Sequence, residues 1–334
     1  MSNKFFGIDF GGTNLRIGEV KPSDGEVIDV MFDENITTIS NNEDLTNLIL
    51  SHIPKGSEVG ICAAGNVDEK NLVIIESPNS KIKGKITFGR DLANAGSKVS
   101  QTNDMKAAVQ AEARYGEGKQ HRNVLVATYS SGYNCAVTRD LENVTTAEFG
   151  HIPYGGELYC GCGKIGHLEP YVSGNGAASM AKQFFGMNRK VNHSTIHQAL
   201  ERFNQDNGTT LKIEDLKNPG VFDDVVSSIS SKDVYMSYRE SPKGEPQKYI
   251  RNTQVRAIAD SFAMMNSAYN PLDIMVLMGS QTKDWDILFK PAINIYQSGE
   301  NQMDSLGKPE IVKSRLPMIG IQGAVAYHLK QQTR

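Results

Sequence analysis

Four potential metal ligands lie within one short, glycine-rich stretch of the sequence. The pattern H-x8-C-x-C-x4-H is formed by His151, Cys160, Cys162 and His167. Imidazole and thiolate groups are the ligands of four-coordinate structural zinc. Two buried free cysteines beside two unrelated histidines are the alternative interpretation. The clustering favours a zinc site, which would order this loop and the two acids that flank it, Glu148 and Glu169.

A second candidate site follows the first apolar segment of the chain. This segment ends at Asp9 and is followed by Gly11, Gly12, Thr13 and Asn14. Adjacent glycines let backbone N–H groups approach an anion closely, so the turn is a candidate phosphate site. Asp9 is a candidate ligand of Mg²⁺ through water. A plain hairpin turn is the alternative, because neither a Walker loop nor a GxGxxG pattern is present.

A third candidate is the pair Asn103-Asp104, where a predicted strand meets an alanine-rich helix at 105–115. Ligands of open α/β sheets bind beyond the carboxyl ends of strands. A carboxylate at that place can accept the proton of a substrate hydroxyl during phosphoryl transfer. The alternative role is purely structural, because Asp is also favoured as a helix N-cap.

These residues are embedded in alternating strand and helix patterns, which predict α/β layers over a mixed sheet. Apolar segments near 4–9, 58–65, 99–104, 124–137 and 272–279 are predicted strands, and helical patterns lie at 42–52, 177–203, 253–268 and 319–330. The polar segment 206–251 is predicted to form loops and short helices on the surface.

Composition limits the classes of protein to which the 334-residue chain can belong. A net charge of −3 disfavours a nucleic-acid binder. No apolar run reaches the ~20 residues that span a bilayer, so no membrane partner is expected. The N-terminal segment lacks the pattern of a secretory signal, and the cysteines do not resemble a secreted disulfide framework. We therefore expect a cytoplasmic protein.

The motifs together resemble the ROK family (repressors, open reading frames, kinases) of the sugar-kinase, hexokinase and actin-like ATPase superfamily. The matching segments are DFGGTNLRIG, TND, EFGH, CGCGKIGHLE, AAGNVD, SPN, NPLDIMVLMGS and IGIQGAV. The resemblance implies a two-lobed α/β fold of the ribonuclease H-like type, with a cleft between the lobes. We expect one lobe at 1–115 with 316–334, and a larger one at 116–315 that contains the zinc loop 151–167 and a helical insertion.

The resemblance also implies an ATP-dependent hexose 6-kinase, with Asp104 as the base for the 6-hydroxyl and glucose as the first candidate sugar. The implied sugar contacts are Asn79, Asn103, Asp104, Glu148, His151 and Glu169. The implied contacts of ATP and its Mg²⁺ are Asp9, Gly11, Gly12, Thr13, Asn14, Ser131, Gly132 and Gly279. Zinc would be structural, and the resemblance suggests a homodimer.

Three places depart from the family pattern. His167 stands where a cysteine is usual, so zinc is expected with altered geometry. The segment 130–135, SSGYNC, replaces a glycine-rich second phosphate turn and bears on the identity of the phosphoryl donor. Ala63-Ala64-Gly65 replaces a loop in which proline is commoner.

Other functions within the same family remain open. The chain is alternatively a kinase for an N-acetylhexosamine or fructose, or a sugar-binding ROK protein or regulator without catalysis. Repressors of the family carry a helix-turn-helix domain before the phosphate turn. Because the segment leading into that turn ends here at Asp9, we expect a kinase instead.

Overall fold

Two five-stranded sheets with the same strand order organise the chain. The computed structural model describes residues 4–140, 142–299 and 306–333. In each sheet an antiparallel three-stranded meander is extended by two strands parallel to its first strand. Among the described residues, no helix is both long enough and apolar enough to cross a bilayer.

The first sheet contains five of the first seven strands, in the order β3-β2-β1-β4-β7. Phe6, Ile8 and Phe10 of the central strand are buried on one face, as the period of two in a strand requires. The remaining two strands, β5 and β6, form a separate ribbon. The seven strands are β1 (Phe5–Phe10), β2 (Asn14–Val20), β3 (Val27–Asn35), β4 (Glu58–Ala63), β5 (Asn66–Asp68), β6 (Val73–Glu76) and β7 (Lys98–Asn103).

The second sheet has the order β10-β9-β8-β11-β12. Its first three strands follow one another closely in the chain, whereas a long helical segment separates the third from the fourth. Its strands are β8 (Val124–Tyr129), β9 (Tyr133–Arg139), β10 (Asn143–Ala147), β11 (Ile274–Met278) and β12 (Glu310–Lys313).

Helices cover the faces of the two sheets. The first three are α1 (Asn42–His52), α2 (Phe88–Asn94) and α3 (Asp104–Tyr115), followed by α4 (Glu169–Val172), α5 (Gly174–Asn188), α6 (Ser194–Asn207), α7 (Pro219–Ser228), α8 (Ser231–Glu240), α9 (Gln247–Tyr269), α10 (Phe289–Ser298) and α11 (Ile319–Gln332). Met105 and Val109 of α3 share an apolar cluster with Val124 and Val276 of the second sheet, and α11 packs on α3 and on β1, β4 and β7. Helix α3 therefore links the two halves. The lobe boundaries at 115/116 and 315/316 stay a prediction.

The segment 206–251 differs from its predicted character. It forms α7 and α8, and Phe222, Val225 and Tyr235 are buried in the main core of the second half. Asn218 caps α7 by accepting a hydrogen bond from Gly220 N, and a proline opens the helix. The predicted short helices are present, but their predicted placement on the surface was wrong, because apolar residues recur at helical spacing within the polar composition and pack into the core.

Candidate active site

The first glycine turn joins β1 to β2 and packs on the loop that contains Asn79. Gly12 has a φ of +79°, and an added Cβ would lie 2.9 Å from the Ser77 hydroxyl oxygen. Thr13 Oγ1 donates to the main-chain oxygen of Asn79 at 3.4 Å, while the Asn79 side chain is exposed. No described group accepts a hydrogen bond from the amides of Gly12 and Thr13. The turn therefore offers amide donors to an anion.

The turn Ser130–Gly132 holds the same place between β8 and β9 in the second sheet. The Ser130 amide donates to the Gly132 carbonyl at 2.9 Å, which closes the turn. Within the described part of the chain, the amides of Ser131 and Gly132 have no acceptor. Despite its departure from the family's glycine-rich pattern, this turn also retains free amide donors.

Asp104 begins α3 at the carboxyl end of β7, and Asn103 fills the capping role. Asn103 Oδ1 accepts from the Met105 amide at 2.9 Å, and Asn103 Nδ2 donates to the Gly65 carbonyl at 3.1 Å. Burial raises the pKa of Asp104 to about 6, the hydrogen bond from the Met105 amide opposes this rise, and the carboxylates of Asp9 and Glu148 add to it. The sequence analysis considered Asp104 as a possible N-cap of this helix. Since Asn103 caps the helix, its neighbour Asp104 is not needed for that role.

Asp9 and Asp104 line one cavity of about 530 Å³, called here the central cavity. Thr128, Ser130 and Met278 of the second half line it too, so it lies between the two sheets. The Asp9 side chain is 21% exposed, and its partial burial raises the pKa of its carboxyl against the opposing effects of a thiol and a guanidinium. Two carboxyl groups and the second turn thus meet around one space.

A second cavity, of about 590 Å³, adjoins the first at Ser130. It is called here the serine-lined cavity, and Glu169 lines it at one side. Gly279, with a φ of +100°, follows β11 and precedes Ser280, which also lines this cavity. An added Cβ at Gly279 would lie 2.3 Å from the Tyr129 carbonyl oxygen, so glycine is required for this close approach. The serines that line this cavity are Ser130, Ser131, Ser173, Ser179, Ser230, Ser231 and Ser280.

The four predicted zinc ligands converge, and their ligand atoms all lie within 4.8 Å of one another. His151 Nδ1 lies 3.4 Å from Cys160 Sγ, and His167 Nδ1 lies 3.3 Å from Cys162 Sγ. A tetrahedral zinc ion with bonds of ~2.0–2.3 Å holds its ligand atoms roughly 3.3–3.8 Å apart. The donor set and its spacing therefore fit zinc with a small closing movement, and His167 reaches the position expected of the fourth ligand.

The two acids that flank this loop are held by the strand after the second turn. Glu148 Oε2 accepts from Asn134 Nδ2 at 3.4 Å, and Glu169 Oε2 accepts from the Tyr133 amide at 3.3 Å. The Cys160 thiol donates to Glu169 Oε1 at 3.4 Å. The loop 151–167, called here the cysteine loop, is thus connected by hydrogen bonds to the second turn and to both acids.

Comparison with known proteins decides the family. The ROK family model matches residues 5–218 of this chain.

The chain belongs to the ROK family.

Curated ROK relatives match part of the chain. A glucokinase of Streptomyces coelicolor is 32% identical in an alignment of 191 residues that covers 53% of this chain and 58% of that protein. A polyphosphate glucokinase of Mycobacterium tuberculosis is 26% identical in an alignment of 160 residues that covers 46% of this chain and 59% of that protein. The matched region thus spans less than two thirds of the length of these curated relatives.

A solved ROK structure matches nearly the whole chain. It is a ROK family glucokinase from Streptomyces griseus in complex with glucose and AMPPNP, with a TM-score of 0.70 and 22% identity over 97% of this chain and 99% of that one. At this identity the likeness shows the fold. The two-lobed actin-like ATPase architecture predicted from the sequence is confirmed.

Three residues of this ROK chain lie in the site although the sequence analysis did not predict a role for them: Arg16, Cys62 and Asn134. Arg16 Nη1 lies 3.4 Å from Asp9 Oδ2, and Arg16 Nε donates to Asp33 Oδ1 at 2.9 Å. The Cys62 thiol donates to Asp9 Oδ1 at 3.4 Å. Asn134, described above, holds Glu148. The antiparallel hairpin pairs Asp9 with Arg16, so hairpin register was the signal that could have identified the arginine.

Proposed function

We propose that this ROK protein transfers the γ-phosphoryl group of ATP to the 6-hydroxyl of a hexose, with glucose as the first candidate. The observation that carries the proposal is the position of Asp104 in the central cavity, which Asp9 and Ser130 of the second turn also line, with a pKa raised to about 6. The glucokinase relatives, although matched over part of their length, support glucose among the hexoses.

The chemical step requires little more than positioning and charge stabilisation. Asp104 accepts the proton of the 6-hydroxyl while that oxygen attacks the γ-phosphorus, and the bond from phosphorus to the oxygen shared with the β-phosphate breaks. With a pKa of about 6, Asp104 is roughly nine-tenths ionised at pH 7, so it is a ready base. The amides of Gly12, Thr13, Ser131 and Gly132 donate to phosphate oxygens as charge develops.

The predicted ATP and Mg²⁺ contacts divide between the two halves. Asp9, with Gly11 and Asn14 beside the first turn, would hold Mg²⁺ and the outer phosphates, and bound Mg²⁺ supplies neutralisation of phosphate charge. Gly279 would lie near the adenosine, because Ser280 beside it lines the serine-lined cavity. That cavity therefore serves the nucleoside, and the central cavity serves the reacting groups.

The predicted sugar contacts surround the zinc loop and the end of β7. Glu148, His151 and Glu169 would bind hydroxyls on one side of the sugar, and Asn79 and Asn103 would bind hydroxyls near the transferred phosphoryl group. Zinc held by His151, Cys160, Cys162 and His167 would order this loop and would take no part in the chemical step. We extend the proposal to a cytoplasmic homodimer with the predicted lobe boundaries.

A coupled ADP-release assay across hexoses, amino sugars and N-acetylated sugars, repeated with several nucleotide donors, tests the proposal. We expect ATP-dependent phosphorylation of glucose above the other sugars. A preference for fructose or an N-acetylhexosamine would keep the kinase and replace the sugar. Tight glucose binding without ADP release from any sugar would contradict the proposal and favour a non-catalytic ROK protein.

A further inference from the structure

A buried polar network lies directly beneath the Ser130–Gly132 turn. The side chains of Tyr235, Gln254 and Gln281 are 1%, 0% and 2% exposed. Tyr235 comes from α8, Gln254 from α9, and Gln281 follows β11. Three segments that are distant in the chain thus deliver polar groups to one buried place, where each needs a partner.

The Tyr235 hydroxyl joins the two glutamines. It lies 2.6 Å from Gln254 Oε1 and 2.9 Å from Gln281 Oε1. A hydroxyl carries one hydrogen, so Tyr235 shares that hydrogen between both acceptors in a three-centre contact. With both side-chain oxygens turned towards Tyr235, the two amide nitrogens point away from it, towards the main chain.

Those amide nitrogens bind the main chain at the edge of the proposed nucleotide site. Gln281 Nε2 donates to the carbonyl oxygens of Ser130 at 3.2 Å and Val172 at 3.0 Å. Gln254 Nε2 donates to the Ser173 carbonyl oxygen at 2.9 Å. Rotating either amide by half a turn would set carbonyl against carbonyl, so the network has one satisfied orientation.

The start of α5 binds the same turn from a second direction. The Gly174 amide donates to the Ser130 carbonyl at 2.8 Å, and the Asn175 amide donates to the Ser131 carbonyl at 3.2 Å. The carbonyls of Ser130 and Ser131 are therefore both engaged by the protein. The amides of Ser131 and Gly132, which lack acceptors within the described residues, are left for a ligand.

The two turns are held in place by different means. A positive φ at Gly12 shapes the first turn, with that glycine packed on the Ser77–Asn79 loop. At the second turn neither serine has a positive φ, and the shape is imposed by hydrogen bonds to its carbonyls. Loss of a buried partner would therefore release the second turn and leave an unmatched polar group beneath it.

We propose that Tyr235, Gln254 and Gln281 are positioning residues that fix the Ser130–Gly132 turn for the phosphoryl donor. The identity of that donor rests on the proposed function; the control of the turn by the network does not. The proposal also gives a role to α8, which lies within the segment 206–251 that was predicted to form loops and short helices on the surface.

The test compares Gln281→Leu and Tyr235→Phe with Gln247→Leu in the full-length protein. Gln247 is a matched control, because it is 1% exposed and its Nε2 donates to the Ser241 carbonyl at 3.1 Å, outside the network. Two readouts are measured: hydrogen–deuterium exchange of peptides covering 130–135, and the KM values for ATP and hexose. The conservative Tyr235→Phe variant covers the case in which Gln281→Leu fails to fold.

We expect faster exchange within 130–133 in both network variants, at the amides of Ser130 and Tyr133 that are hydrogen-bonded in the unmodified protein. The KM for ATP should rise about fivefold to tenfold, and the hexose KM should stay within about twofold. Gln247→Leu should leave exchange at 130–133 and both KM values unchanged. Unchanged exchange in the two network variants, or the same increase in the control, would overturn the proposal. Absence of phosphoryl transfer in the unmodified protein would refute the proposed function alone, because the exchange comparison still decides the role of the network.

Discussion

The two halves of the molecule share one sheet topology and differ in the chemistry that they carry. The hairpin β1–β2 of the first sheet corresponds to β8–β9 of the second, and in both hairpin turns two amides have no acceptor among the described residues. Asp9, the fifth residue of β1, corresponds to Thr128 of β8. The first sheet therefore has a carboxyl group at this strand position, whereas the second sheet has a hydroxyl.

The outer parallel strands extend this contrast. Strand β7 ends at Asn103 and is followed by Asp104, whereas the corresponding strand β12 ends at Lys313 and is followed by Ser314. The second half instead carries long insertions, the cysteine loop and the helices α5 to α9. The shared scaffold thus gives each half one such turn, while the first half supplies Asp9 and Asp104 and the second supplies the larger binding surfaces.

The largest effect should come from the acid at the end of β7. Asp104→Asn should lower turnover by about 10³-fold, because general-base catalysis typically contributes 10²–10⁴-fold. Hexose affinity, measured by calorimetry, should change by less than about threefold, since the amide keeps the shape of the side chain. Turnover within about tenfold of the unmodified enzyme would remove Asp104 from the role of base.

The paired strand positions offer a direct test of the asymmetry. Asp9→Asn should lower turnover by about 10²-fold and raise the Mg²⁺ concentration needed for half-maximal rate, because a carboxylate near the metal is lost. Thr128→Val, at the corresponding place in the second half, should change turnover by less than about threefold. Equal losses in the two variants would show that the acids are not the basis of the difference between the halves.

Changes in the cysteine loop should weaken binding of the sugar and leave binding of the nucleotide unchanged. Cys162→Ser should remove the metal and raise the hexose KM by about tenfold, since the acids beside the loop lose their support. The KM for ATP should stay within about twofold. Elemental analysis should find about one zinc per chain in the unmodified protein, and none there would refute the ligand set.

The smallest effect is expected from the turn side chains. Ser131→Ala and Thr13→Ala should each raise the KM for ATP by less than about threefold, because the amides supply the anion contacts and remain in place. A tenfold rise for Ser131→Ala alone would show that the second turn binds through its hydroxyl. The two turns would then differ in chemistry and not only in how they are held.

Local patterns in the sequence predict much of this structure. Each of three features is readable within a few residues: the turn at Gly11 and Gly12, the start of α3 at Asp104, and the spacing of the four candidate zinc ligands. Short helices were predicted for 206–251, but their burial was not, although Phe222, Val225 and Val226 follow helical spacing, because a polar composition outweighed that periodicity.

Other features depend on residues that folding brings together. Gln281 reaches the Ser130 carbonyl across 151 positions of sequence, and no local pattern indicates that contact. Likewise, the pKa of Asp104 depends on burial and on the carboxylates of Asp9 and Glu148, which come from distant segments. Such effects belong to the assembled cleft, so the sequence could identify the acid but not its raised pKa.

The pH dependence of kcat/KM for the hexose, between pH 4.5 and 8, tests the central claim most directly, because this ratio reports the free enzyme's essential groups. Protonated Asp104 cannot accept the hydroxyl proton, so with a pKa of about 6 the value should be constant near pH 8 and fall about tenfold per unit below pH 6. A profile that stays flat down to pH 5 would contradict the assignment of Asp104, in its buried acidic surroundings, as the base.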